Sequence, residues 1–264
     1  MDLHLNDKHV LITGASKGIG LACAMGFLEE GARVTLVSRQ TANLEQAQTQ
    51  LSARWPKARV HCVAADLTQA SAGAQVLASC EAALGAVDIL VNSAGAAKRT
   101  PAPELTPQVW ADAMQAKYFS YIHMIDPTIK RMAERGQGSI VNVVGNGGKV
   151  ASPIHLAGGA ANAALMLVTA GLANAYAAQG IRVNAVNPGF TLTERLKEGL
   201  QADARLRGIG VDEAMQQALT RVPLGRMAEP EEIARVVVFL ASAAASYVTG
   251  VCMTMDGAST PIVV

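Results

Sequence analysis

Thr13-Gly14-Ala15-Ser16-Lys17-Gly18-Ile19-Gly20 follows the apolar run Val10-Leu11-Ile12 and opens a helical stretch that reaches about Glu30. A glycine triplet by itself is often only a loop. Between a strand and a helix it acquires a mechanism: Gly14 permits a tight turn, Gly18 lets a diphosphate approach the backbone, and Gly20 allows close helix–strand packing. The helix N-terminus then faces the anion.

Outward from this turn, short β-branched runs alternate with longer helical stretches. The spacing predicts strands at Arg33 to Val37, Val60 to Ala64, Ile89 to Val91, Ile140 to Val143, Ile181 to Val186 and Val251 to Met255. Helices are expected near Asn43 to Arg54, 70–84, Pro107 to Arg135, 155–179 and 230–242. Repeated βα units imply a parallel sheet covered by helices on both faces, and the continuous apolar strands suit burial on both sides. We read one α/β domain over 1–264, doubly wound and Rossmann-like, with about seven parallel strands. The polar excursion 190–225 is its lid or substrate region. A ligand site belongs at the carboxyl ends of the strands, near the switch in strand order.

Composition narrows the function. Half of the 264 residues are hydrophobic, enough for a sizeable core and too many for a disordered chain. A net charge of +1 leaves no basic excess for nucleic acid. Cys23, Cys62, Cys80 and Cys252 form neither a CxxC pair nor a metal-ligand pattern, so no metal is expected and the thiols read as reduced in a cytoplasmic protein. Met1-Asp2-Leu3-His4 does not resemble a signal peptide. Val150 to Ile181 carries no Asp, Glu, Lys or Arg. Its Asn162, Asn174, His155 and Gln179 are costly in lipid, so a helix buried by protein on most sides is expected, not a membrane span.

TGxxxGIG at Thr13–Gly20, Asn92-Ser93-Ala94-Gly95 and Pro188-Gly189-Phe190-Thr191-Leu192-Thr193 together resemble the short-chain dehydrogenase/reductase family, as does the tail from Pro223-Leu224-Gly225-Arg226 through Tyr247-Val248-Thr249-Gly250 to Asp256-Gly257. The resemblance covers essentially the whole chain. It implies hydride transfer between a nicotinamide cofactor and a carbonyl or alcohol of a small-molecule substrate. NAD-binding members carry an acid at the end of the second strand, where this chain has Ser38 and then Arg39. With Lys17 in the glycine turn, that corner suits a 2′-phosphate, hence NADP(H) before NAD(H). The resemblance further implies Asp66 and Leu67 at the adenine, and Asn92, Ala94 and Gly95 on the ribose side. Pro188, Gly189, Thr191 and Thr193, with Asn162, belong at the nicotinamide end. It also implies a homotetramer or dimer, with 155–179 and 107–135 packed against a second copy.

The family's catalytic Asn, Ser, Tyr and Lys fall on Lys117, Gly145, Gly158 and Asn162. Three readings follow: a catalytically silent NADP(H)-binding protein, a slipped alignment with Ser152 or a nearby tyrosine standing in, or a rebuilt site. In the rebuilt site Lys117 replaces the lost lysine from across the cleft, paired with Asn162, its ammonium within hydrogen-bond reach of the nicotinamide ribose or of Asn162, and adds positive charge at the reacting oxygen. His155, in one segment with Asn146, protonates the developing oxyanion near neutral pH. The glycines at 145, 147, 148, 158 and 159 are expected to clear space beside the nicotinamide. The lid charges read as a solvated helical face. Reduction of an activated C=C bond, such as an enoyl thioester, is the alternative chemistry.

Overall fold

The computed structural model describes residues 1–95 and 97–262. Seven parallel strands lie in the order β3-β2-β1-β4-β5-β6-β7. They are β1 (His9–Thr13), β2 (Arg33–Ser38), β3 (Val60–Ala64), β4 (Ile89–Asn92), β5 (Gly138–Val143), β6 (Ile181–Pro188) and β7 (Cys252–Met255). Every residue of β1 and β4 is buried, as a strand covered on both faces requires. The strand order reverses between β1 and β4, so the crevice at their carboxyl ends is where loops diverge and a ligand can enter.

Helices α1 (Gly18–Glu29), α2 (Thr41–Arg54) and α9 (Pro230–Ala241) pack on one face, through Phe27, Leu44, Leu51 and Val237. On the other lie α3 (Ala72–Leu84), α5 (Ser120–Arg135) and α6 (Leu156–Tyr176), through Val76, Tyr121, Ile129 and Leu165. The long helix expected over 107–135 is broken in the middle. It begins as α4 (Pro107–Ala113), with the Thr106 hydroxyl accepting from the Val109 amide at 3.3 Å. It then widens into a π-turn over Met114–Phe119 before α5. A π-turn inserts one residue and re-aims side chains locally. The residue it re-aims is Lys117.

The 190–225 excursion forms two helices, α7 (Glu194–Arg207) and α8 (Val211–Leu219), around a small core of Leu196, Leu200, Ala204, Ala214 and Ala218. Thr193 starts α7, its hydroxyl accepting from the Leu196 amide at 3.3 Å. Helix α6 is buried on one face only, through Gly158, Asn162, Leu165, Thr169 and Ala173. Leu167 on its outer face is 76% exposed, which corrects the expectation of burial on most sides. The sheet occupies the inner face, and among the described residues no further layer covers the outer one. The segment Leu156–Gln179 is long and apolar enough to cross a membrane, but its inner face is committed to the protein core.

Candidate active site

The glycine turn is a backbone cradle. Gly14 and Gly18 have φ of +65° and +56°, which side-chain-bearing residues rarely adopt. A Cβ on Gly14 would stand 2.8 Å from Ala94 Cα, and one on Gly20 would strike the Gly14 carbonyl. The Thr13 hydroxyl accepts from the Ser93 and Ala94 amides at 3.0 and 3.1 Å, fastening the loop after β4 to β1. No side chain caps α1 and its first turn carries no acid, which leaves its leading amides for an anion.

Gly14, Ser16, Lys17, Gly18, Ile19 and Gly20 share one cavity with Ser38 and Arg39 from the end of β2, Asp66 and Leu67 after β3, Ala94 and Gly95 after β4, and Thr193. The Ser16 hydroxyl donates to Ser38 at 3.1 Å. Bonds from the Thr68 amide and hydroxyl, with Arg39 nearby, hold the Asp66 carboxyl below its usual pKa. These residues fit a dinucleotide bearing a 2′-phosphate: a cradle that a Cβ would fill, open helix amides, and a cation without a carboxylate at the end of β2.

Two cofactor expectations need correction. Asn92 is fully buried and turns its side chain into the sheet, where its amide donates to Asn142 Oδ1 at 3.0 Å. Asn142 donates on to Thr169 at 3.0 Å, so Asn92 fastens strand to helix and does not line the cavity. Lys17 does not reach toward β2. Its ammonium is paired with Glu194 at 2.7 Å, across the cavity from the first residue of α7.

A second cavity of about 590 Å³ adjoins the first and shares Ile19, Gly95, Thr193 and Arg195 with it. That volume suits a small molecule. Its wall brings together Lys117, Gly145, His155, Gly158 and Asn162 with Pro188, Gly189 and Thr191. Ser152 also reaches it. Tyr121 does not stand in as an acid there: it is fully buried and its hydroxyl donates to Val143 O at 2.6 Å.

Lys117 is 8% exposed. Its ammonium donates to Tyr121 Oη at 2.8 Å and Val143 O at 3.1 Å. It also sits 4.5 Å from the Tyr121 ring centre. Among the described residues no carboxylate pairs with it, and burial, with Arg195 adding repulsion, lowers its pKa to about 7. The expected Lys117–Asn162 hydrogen bond is not formed, because the π-turn directs Lys117 to its own helix and the end of β5. Asn162 is 5% exposed, and its Oδ1 is buried without a partner among the described residues.

Gly145 and Gly147 line the cavity, but Gly148, Gly158 and Gly159 do not clear open space. The His155 ring occupies the place of a side chain at Gly158: a Cβ there would lie 2.6 Å from Nε2. Gly148 and Gly159 let the 146–148 turn close onto α6, with a Cβ on Gly148 falling 2.8 Å from the Ala163 amide. Gly145, where the family's Ser is expected, has φ of +123°, a conformation that side-chain-bearing residues rarely adopt. Asn146 lines the same cavity, its amide donating to Asp256 at 3.0 Å and Thr260 at 2.6 Å. His155 does not serve as an acid near neutral pH. Burial and the cations Arg99, Arg195 and Lys117 lower its pKa to about 4, leaving a neutral imidazole.

Two cavity residues were not legible beforehand. Arg99 lies in a loop with no motif, and Arg195 was read with the solvated lid charges; both line the second cavity.

Residues 14–260 match the family described as enoyl-(acyl carrier protein) reductase. The chain is 36% identical over 263 residues to a D-threitol dehydrogenase of Mycolicibacterium smegmatis, covering 98% of this chain and 95% of that one. It superposes with a TM-score of 0.92 and 30% identity, over the full length of both chains, on L-sorbose reductase from Gluconobacter frateurii complexed with NADPH and L-sorbose. It is also similar to an NADPH-bound short chain oxidoreductase from Pseudomonas aeruginosa PAO1 that contains an atypical catalytic center. That likeness has a TM-score of 0.88 and 30% identity, covering 98% of this chain and all of the other.

Proposed function

The chain belongs to the short-chain dehydrogenase/reductase family, and from that premise we propose that it is an NADP(H)-dependent oxidoreductase that reduces a small organic carbonyl through a rebuilt proton-donating site. One observation carries the reading. Lys117, an ammonium with a pKa near 7 and no carboxylate partner among the described residues, stands in the wall of the cavity that adjoins the dinucleotide cradle. The ketose and polyol chemistry named for the relatives supports a small oxygenated substrate, and the NADPH-bound neighbours support the cofactor.

Bound NADPH supplies the hydride. The glycine turn and the amides of α1 receive the diphosphate, and Ser38 with Arg39 receives the 2′-phosphate. Asn162, with its unpaired Oδ1, and the neutral His155 imidazole orient the groups of the carbonyl substrate. The Lys117 ammonium polarises the carbonyl oxygen and gives it the proton that completes the alcohol, then recovers a proton from solvent. Tyr121 and Val143 O hold the ammonium in place through both turns of that cycle. Residues 190–225 form the lid over the substrate.

The test is NADPH oxidation with ketoses, small ketones, keto acids, phosphorylated ketones and enoyl thioesters, with product analysis separating C=O from C=C reduction. Ketone or ketose reduction is expected. Lys117→Met should lower kcat by about 100-fold or more, the usual scale of general acid catalysis, with NADPH affinity within a few-fold. Arg39→Asp should weaken NADPH by about 10-fold or more, the loss of one charge-assisted contact. NADPH binding without turnover of any of these compounds would overturn the carbonyl reading in favour of a silent cofactor-binding protein. Turnover of the thioesters alone would favour C=C reduction.

A further inference from the structure

We propose that the second cavity selects a substrate carrying an anionic head group, a carboxylate or a phosphate, clasped by Arg99 from the loop after β4 and Arg195 from the first turn of α7. The proposal names the substrate class for the reductase reading above and rests on it.

The cavity wall is a cluster of cations with almost no opposing charge. Arg99, Lys117, Arg195, Arg207 and Arg221 line it, against the single carboxylate of Asp203. That carboxylate is already paired with Arg207 at 3.1 Å, on the same face of α7. Among the described residues, neither Arg99 nor Arg195 has an acidic side chain within ion-pair distance. Arg195 spends one donor on the carbonyl of Ala97, at 2.8 Å. The two guanidinium groups are close enough to act on each other: burial, with Arg99 nearby, pushes Arg195 below its ordinary pKa. Both also repel a proton from His155. The net charge of the chain is only +1, so this is a local concentration of charge and not a general basic surface. Asp203 acts on Arg99 and Glu198 on Arg195 without forming an ion pair, and burial still leaves both arginines below their ordinary pKa; cations that outnumber their counter-charges in a concave site raise the potential there and favour a small anion.

The arrangement is also built to hold Arg99. A Cβ on Gly199 would lie 3.1 to 3.3 Å from three atoms of the Arg99 guanidinium, so the glycine gives that group room to lie against α7. The Thr100 amide donates to Ile154 O at 3.1 Å, which ties the Arg99 loop to the segment carrying His155. The anionic end of a bound molecule therefore sits beside Lys117 and His155, within a few bonds of a carbonyl placed between them. Two guanidinium forks suit the oxygens of a carboxylate or phosphate equally. Arg195 lines both cavities and Arg99 only the second, so Arg99 separates a substrate anion from a cofactor phosphate.

The experiment is calorimetric titration of the NADP⁺-saturated protein with malonate, methylphosphonate and the uncharged malonamide. At least one anion should bind about 10-fold or more tightly than malonamide, the scale of one charge-assisted contact, and the tighter of the two names the head group. Arg99→Gln should abolish the preference and Arg99→Lys retain part of it, with NADPH affinity and melting temperature unchanged in both. Equal binding of anions and malonamide, no binding by any of the three, or a preference that survives in Arg99→Gln would overturn the proposal. If anions bind through Arg99 but no carbonyl compound is reduced, the reductase reading fails and the anion site stands. If neutral ketones are reduced and the anion preference is missing, the reverse holds.

Discussion

A buried ammonium without a counter-ion opposes folding in proportion to the fall in its pKa. Lys117 falls from 10.5 to about 7, and His155 from 6.5 to about 4. For both groups the unfolded chain keeps its proton to higher pH than the folded one. Stability therefore rises with pH, between about 4 and 6.5 on account of His155 and between about 7 and 10.5 on account of Lys117. Below pH 4 both penalties are present in full. Urea unfolding across this range should show the upper rise vanish in Lys117→Met, which should also be the more stable protein at pH 6, by an amount on the order of a few kcal/mol. Parallel profiles for the two proteins would contradict the burial of that charge. The same titration governs turnover. If Lys117 gives the proton, carbonyl reduction should be level at low pH and fall as pH rises through about 7.

At the scale of elements, the site is made by irregularities in helices. The π-turn between α4 and α5 carries Lys117, and the first turn of α6 brings His155 over Gly158, three residues on. The imidazole and a side chain at 158 exclude each other. Gly158→Ala should consequently destabilise the protein by roughly 1–3 kcal/mol, the usual cost of overpacking. In a His155→Ala background the same change should be close to neutral or stabilising, since alanine is the better helix residue. A double-mutant cycle by chemical denaturation measures the coupling. Equal effects of Gly158→Ala in both backgrounds would mean that the ring does not fill that place. A large residue at 158 requires the histidine to leave, so a tyrosine at 158 and the present place of His155 are alternatives.

For the whole molecule, the outer face of α6 is the open question of surface chemistry. Leu167 is 76% exposed there, and an uncovered apolar helix face favours association. We expect a dimer or tetramer with two-fold axes, in which this face packs on a second copy. Light scattering at micromolar concentration should show the assembly, and Leu167→Glu should shift it toward smaller species. A monomer in the unsubstituted protein would end that expectation.

What the sequence by itself determined was local. Alternating apolar runs and helical stretches specified a doubly wound sheet, because burial on both faces leaves its mark along each strand. The glycine turn specified the cradle, because positive φ and backbone approach are demands on single residues. Motif counting leads to the expectation that the family's catalytic residues fall on Lys117, Gly145, Gly158 and Asn162. Only the tertiary structure decided what those four residues touch. Lys117 bonds Tyr121 and Val143 O and not Asn162, Glu194 captures Lys17, Asn92 turns into the sheet, and Arg99 and Arg195, nearly a hundred residues apart in the chain, line one cavity. Apart from the Lys117–Tyr121 bond, which spans one helical turn, each of these joins elements distant in sequence. The direction of a long side chain, and the desolvation and neighbouring charge that set its pKa, come from whichever elements pack against it, and no periodicity in its own segment records them.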